Sequence, residues 1–235
     1  MEINNLLKID FKYFVKARSS ASISSYKICK NLRDYNIKTI IDIGANIGQF
    51  SLAANHFFPN AMIYSFEPLP FEFARLSKNT NRRENIKKFN LALGNQCGTI
   101  DFYKNDYSLA SSVLPISKQQ KEFLPVTASQ KRIKVSIERL SKIFPCLDVK
   151  GPVLLKLDVQ GFEKEVLLGA VEILPQIDYL LFETSFIPMY EREPLFDEMH
   201  AFVKNLGFQF IAPLNFLRRE DFTILQMDVL YKRIK

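Results

Sequence analysis

The stretch TIIDIGANIGQF, Thr39 to Phe50, runs from an apolar segment through an aspartate to two glycines and then into a new periodicity. Thr39 to Ile43 has the length and composition of a buried strand. From Phe50 onward, Phe50, Ala53, Ala54 and Phe57 recur at i, i+3, i+4 and i+7, the apolar face of a helix. Asp42, Gly44 and Gly48 therefore sit where a strand hands over to a helix. In an open parallel sheet, ligands bind at the carboxyl ends of strands, and a glycine turn there lets the backbone approach the ligand. The spacing here is D-x-G-x-x-x-G. The G-x-G-x-x-G that seats a pyrophosphate is absent, because Asn46 stands where its second glycine belongs. A dinucleotide is disfavoured.

Outward from this turn the chain alternates short apolar runs with helix-period segments. MIYSFEP reads as a second strand ending at Glu67 and Pro68, followed by a helix opening near Pro70 with Phe73 and Leu76 inward. KKFNLALG reads as a third strand, VLLKLDVQG as a fourth and YLLFETS as a fifth. PLFDEMHAFVKNLG reads as a helix that Gly207 terminates, and FQFIAP and TILQMDVLYKR as two closing strands. Strands apolar on both faces, alternating with helices, predict a parallel sheet covered on each side. GTIDFYK and RIKVSIERL alternate at period two and read as an inserted pair of strands. Between them a polar segment from Asn105 to Lys131 reads as a long loop, a length that is usually functional or disordered.

Glu67 ends the second strand 25 residues after Asp42, where an acid accepts hydrogen bonds from ribose hydroxyls. Ribose recognition without a pyrophosphate site points to S-adenosylmethionine. A carboxylate near the first turn also suits its sulfonium and ammonium charges better than it would suit a phosphate.

IDIGANIGQFSLAA, SFEPLPFEFARLSKN, FNLALGNQCGTIDFY, LLKLDVQGFEKEVLLGA and FETSFIPMYEREPLFDEMHAFVKNLGF, taken in order, resemble the FkbM family of S-adenosylmethionine-dependent methyltransferases. The resemblance runs from about Thr39 to the C-terminus, and the KLDVQGFE block is its most specific part. It implies the class I methyltransferase fold, a Rossmann-like α/β arrangement with seven strands, the last antiparallel, and helices on both faces. It also implies O-methylation of a small molecule or saccharide. By position, Asp42, Gly44 and Asn46 match the family's cofactor loop, Glu67 its ribose acid, and Ala92 with Leu93 its usual place beside the adenine. Gly48 and Pro68 flank these positions and join the expected cofactor contacts. Many members carry Glu where this chain has Gln160, so a role resting on a carboxylate there does not transfer.

Methyl transfer to a hydroxyl needs alignment of acceptor and methyl and removal of a proton. The two histidines, His56 and His200, lie inside helical patterns, so carboxylates become the candidates. Asp158 ends the fourth strand and is the first choice for acceptor activation as well as a cofactor neighbour. Glu183 ends the fifth. Lys156 shares a strand face with Asp158 by the period of two and can pair with it or touch substrate. Asp158 and Glu183 are also hard-oxygen ligands that with waters suit magnesium, the alternative to a general base. Glu163 opens the next helix, where the helix dipole accounts for an acid. In the polar segment, Tyr107, Ser108, Ser111 and Ser112 are small or hydroxylic groups that a lid could bring to the cofactor, Ser111 above all.

The 235 residues, 47% of them hydrophobic, predict one large domain over 39–235 preceded by a basic leader over 1–38. The leader holds eight Lys and Arg against Glu2, Asp10 and Asp34, and its Leu6, Leu7, Ile9, Phe11, Phe14 and Val15 read as helical. Much of the chain's net charge of +7 is thus local, which speaks against a nucleic-acid partner and allows at most peripheral contact with an anionic membrane. Three scattered cysteines read as reduced structural thiols. No apolar run reaches the roughly 18 residues of a membrane span, and no signal-peptide pattern opens the chain. A cytoplasmic protein, compatible with an oligomer, is the expectation. Two other readings remain open at this stage: an RNA methyltransferase, and a nucleoside-binding module without catalysis.

Overall fold

In the computed structural model, which describes residues 20–234, neighbouring residues of the first apolar run part to opposite sides of a sheet. Ile40 joins a core with Ile63, Leu154 and Leu181, whereas Ile41 joins the other core with Tyr64, Leu155 and Leu180. Strand β1 (Thr39–Ile43) is buried at every residue, which is why its sequence shows no polar alternation. Helices α1 (Ser20–Leu32) and α2 (Gln49–Phe57) close the first core with Ile28, Cys29, Leu32, Phe50, Ala53 and Ala54. Helix α1 lies within the stretch read as the leader and is packed into the body of the fold. The leader's apolar residues from Leu6 to Val15 fall outside the described residues.

After β1 and α2 come β2 (Met62–Phe66), α3 (Pro70–Asn79) and β3 (Ile86–Phe89), with Pro70 in the first turn of α3 as its fixed φ favours. The chain then builds β4 (Ala92–Leu93), β5 (Gly98–Asn105), α4 (Lys118–Phe123), β6 (Gln130–Glu138) and α5 (Leu140–Ile143). It returns to the main sheet as β7 (Val153–Leu157), α6 (Glu163–Leu168), β8 (Tyr179–Ser185) and α7 (Phe196–Asn205). A hairpin of β9 (Phe208–Arg218) and β10 (Ile224–Arg233) ends it, after Gly207 takes a φ of 84° beyond α7. Val166 of α6 and Met199 and Val203 of α7 close the second core.

The seven-stranded sheet has the order β3-β2-β1-β7-β8-β10-β9. Neighbours from β3 to β8 are parallel, and β10 is antiparallel to both β8 and β9. The strand that completes the chain is therefore the antiparallel one. Strand order reverses between β1 and β7, so the loops leaving these two strands meet at the switch point where such sheets bind ligands.

Two expectations change in detail. KKFNLALG is not one strand: the chain leaves the main sheet after Phe89, and Ala92–Leu93 pair with Ile137–Glu138. The break is held by Asn90, whose Nδ2 donates to the carbonyls of Glu67 at 2.9 Å and Pro68 at 3.0 Å. As a result the inserted strands form a three-stranded sheet of order β4-β6-β5 in place of a pair. The second change is that the polar segment after Asn105 is folded. Ser117 Oγ caps α4 by accepting from Gln120 N at 3.1 Å and itself donates to Pro188 O at 2.7 Å. Ala110, Ile116, Met189 and Tyr190 form a small core beneath the segment. Among the described residues no helix is long and apolar enough to cross a membrane.

Candidate active site

The loop after β1 turns back under constraint. Gly44 has a φ of 77°, and a Cβ there would stand 1.9 Å from the carbonyl oxygen of Asp158, the residue following β7. The first glycine of the motif thus lets two loops touch through their backbones. Asn46 follows at a φ of 48°, a left-handed conformation that asparagine tolerates better than most residues. Its backbone N–H donates to Glu67 Oε2 at 2.9 Å, and the other carboxylate oxygen accepts from Leu69 N at 2.8 Å. Burial pushes the Glu67 carboxyl up to about 7, against the lowering effect of these two amides.

Gly44, Asn46, Glu67 and Pro68 line one side of a cavity with about 600 Å³ of space, part of it open to solvent. Ala92, Leu93 and Phe102 from the small sheet, with Ile43 and Phe66, make its apolar walls. Ser108, Leu109 and Ser111 come from the folded insertion, and Asp158, Gln160 and Phe162 from the loop after β7. Asn46 Nδ2 donates to Ser108 Oγ at 3.3 Å, so the insertion is tied to the glycine loop across the cavity.

Four of the expected catalytic and cofactor residues do not line this cavity. Gly48, with a φ of 95°, starts α2 behind the loop. Asp42 is fully buried, where its Oδ2 accepts from Ser51 Oγ at 2.6 Å and its Oδ1 lies 2.9 Å from Lys156 Nζ. Lys156 is buried with it, 3.6 Å from Asp158 Oδ2 and donating to Gly44 O at 3.3 Å. Burial works to lower its pKa, but the charges of Asp42 and Asp158 outweigh this and hold the ammonium above its ordinary value. Lys156 is a fixed cation beneath the site that ties the two strand ends together. Glu183 reaches the site through a neighbour: Gln160 Nε2 donates to Asp158 Oδ1 at 2.7 Å and to Glu183 Oε2 at 3.0 Å. Burial, then the charges of Asp158 and Asp228, push the Glu183 carboxyl well above its usual range.

A donor N–H group between the two acids is poor metal chemistry, since a cation would need both carboxylates turned toward itself. Among the described residues no group of three or more His, Cys, Asp or Glu is arranged to hold a metal ion. Neither histidine is near the carboxylates' hydrogen bonds. His56 stacks on Tyr26, and His200 Nδ1 is 2.8 Å from Tyr231 Oη. The three cysteines are free thiols.

Glu163, which opens α6, is buried. Its Oε1 accepts from Val159 N at 3.0 Å, and burial pushes its carboxyl up to about 8. A buried acid with a raised pKa holds a proton that the unfolded chain releases, so folding stability falls as pH rises from about 4.5 to about 8. Glu163→Gln keeps the acceptor for Val159 and removes the titration. The variant should gain roughly 2–5 kcal/mol over the parent chain at pH 9 and little at pH 4. Urea unfolding of both proteins at the two pH values measures this; an equal difference at both would remove Glu163 from the pH dependence.

The strand order, the acid ending β2 and the cavity beside the switch point define a Rossmann-like methyltransferase of class I. A match to the methyltransferase FkbM domain spans residues 42–210, and the chain belongs to that family. It is 28% identical over 198 residues to the 31-O-demethyl-FK506 methyltransferase FkbM of Streptomyces tacrolimicus, covering 74% of this chain and 73% of that protein. It is 25% identical over 181 residues to the 2-O-methyltransferase NoeI of Sinorhizobium fredii, covering 74% of each. The hexuronic acid methyltransferase AglP of Haloferax volcanii is 24% identical over 143 residues, covering 60% of this chain and 54% of that protein.

Proposed function

We propose that this protein transfers a methyl group from S-adenosylmethionine to a hydroxyl of a small molecule or saccharide, in the cytoplasm. The observation that carries this reading is the cavity itself: an acid at the end of β2 on one side, the apolar pair Ala92 and Leu93 on another, and Asp158 at the switch point. Glu67 would receive the ribose hydroxyls, Asn46 and Gly44 would frame the amino-acid end, and Ser108 and Ser111 would cover the ligand from the insertion. When bound, S-adenosylmethionine supplies a methyl on an already activated thioether leaving group. The chain's task is then alignment, exclusion of water and acceptance of the hydroxyl proton, for which Asp158 is the candidate base and Glu183 its partner. The names of two relatives, a 2-O-methyltransferase and a hexuronic acid methyltransferase, support transfer to oxygen and a saccharide acceptor respectively. Magnesium has little support beside the Gln160 amide, and no step is assigned to it. The division at residue 38 and a membrane role for the leader rest on sequence alone.

Calorimetry should detect S-adenosylmethionine binding and no binding of NAD. Incubation with labelled S-adenosylmethionine and a panel of methyl glycosides, read by mass spectrometry, should show a gain of one methyl on an oxygen. Methylation of total RNA but of no glycoside would replace this reading by the RNA one, and binding without turnover on any acceptor would leave a nucleoside-binding module.

A further inference from the structure

The hydroxyl of Tyr190 donates to Gln160 Oε1 at 2.6 Å. That bond decides which way the Gln160 amide faces. With its oxygen held by Tyr190, the amide turns its nitrogen to Asp158 and Glu183; flipped, it would set an oxygen against two carboxylates. Tyr190 has no exposed surface. The direction of the chain from Tyr190 through Gln160 to the acids is thereby fixed. A second tie runs beside it, since Ser112 Oγ donates to Gln160 O at 2.7 Å. Gln160 has a φ of 58°, strained for a residue with a Cβ, and is kept there by bonds to both its backbone and its side chain.

We propose that Tyr190 is a positioning residue for methyl transfer: by fixing the orientation of the Gln160 amide it holds Asp158 and Glu183 on one pair of N–H groups, while Ser112 couples the insertion to the reacting end of the site. This rests on Asp158 being the acceptor-activating group. It gives the insertion a function that a lid over the cofactor does not require, and it gives Gln160 a function that a glutamate in its place could not perform without setting a third carboxyl group against the other two.

The test uses the full chain without any ligand first. In ¹⁵N–¹H spectra, the Gln160 side-chain amide, assigned by its loss in Gln160→Glu, should exchange at least tenfold more slowly than solvent-exposed glutamines. Tyr190→Phe removes the hydroxyl and keeps the ring, and should abolish that protection. Ser112→Ala, which removes the bond to the Gln160 carbonyl, provides a second test should the tyrosine variant fail to fold. With labelled S-adenosylmethionine and the methyl glycoside that accepts methyl, both variants should lower kcat about tenfold or more, with KM and cofactor affinity within about twofold. An unprotected amide in the parent chain, or protection and kcat unchanged in the variants, overturns the proposal. Undiminished turnover in Asp158→Asn would overturn the base reading instead, while the amide spectrum still decides whether Tyr190 orients Gln160.

Discussion

Replacing Asp158 by asparagine should leave S-adenosylmethionine binding intact and lower methyl transfer by roughly 10²- to 10⁴-fold, the contribution of a positioned base. The expectation follows from which carboxylates are free to meet an acceptor. Asp42 is sealed beneath the loop with Lys156 and Ser51. Glu67 is engaged by two backbone amides at the other end of the cavity. Glu163 is buried against Val159. Asp158 alone among these combines a place on the cavity wall with a side chain 41% exposed, and its Oδ2 is 3.6 Å from the nearest cation, too far for a tight pair. Asparagine fills the same volume, so a loss of turnover would report lost basicity and not lost shape. Rates with labelled cofactor and a methyl glycoside, beside calorimetry of cofactor binding, separate the two. Wild-type rates in the variant would leave alignment alone as the source of catalysis.

Glu67→Ala should weaken S-adenosylmethionine by about 2–4 kcal/mol, the loss of two charge-assisted hydrogen bonds. Two features of the structure sharpen this. The carboxylate also accepts from Asn46 and Leu69, so part of the loss will come from a slackened loop; Glu67→Gln, which keeps one accepting oxygen, should fall between the parent and the alanine variant. Because burial pushes this carboxyl up to about 7, the free protein holds a proton there below that pH. The ionised form is the better acceptor of ribose hydroxyls, so affinity should decline as pH falls below 7 and the decline should vanish in Glu67→Ala. Unchanged affinity in the alanine variant at pH 8 would remove Glu67 from the binding site.

What could be read from the sequence was local and repeated. TIIDI, VLLKL and YLLFETS announce themselves because burial on two faces makes them apolar except near their carboxyl ends, and Pro70 and Gly207 punctuate their helices by backbone restrictions that act on single residues. The side shared by Lys156 and Asp158 also follows from strand geometry alone. The break between Phe89 and Ala92 was hidden because the apolar alternation continues across it, and only the Asn90 bonds to a distant loop reveal the turn. In the insertion, the Ser117-to-Gln120 spacing is a capping signal present in the sequence, but a helix as short as Lys118–Phe123 gives too little periodicity to be seen beside it. Tyr190 had no local sign at all. Its role depends on residues 30 positions earlier, through one hydrogen bond.

The contact between Gly44 and the Asp158 carbonyl has a consequence for how this enzyme can change. A side chain at residue 44 has nowhere to go except into the peptide that carries the proposed base. The loop that would hold the cofactor and the strand end that would receive the acceptor share one wall a single atom thick. Variation that retunes the acceptor must come from elements that approach from outside, such as the insertion around Val113, while the wall itself and Tyr190 stay as they are. New acceptors can therefore be sought by exchanging those outer segments, and libraries need not touch the partition behind them.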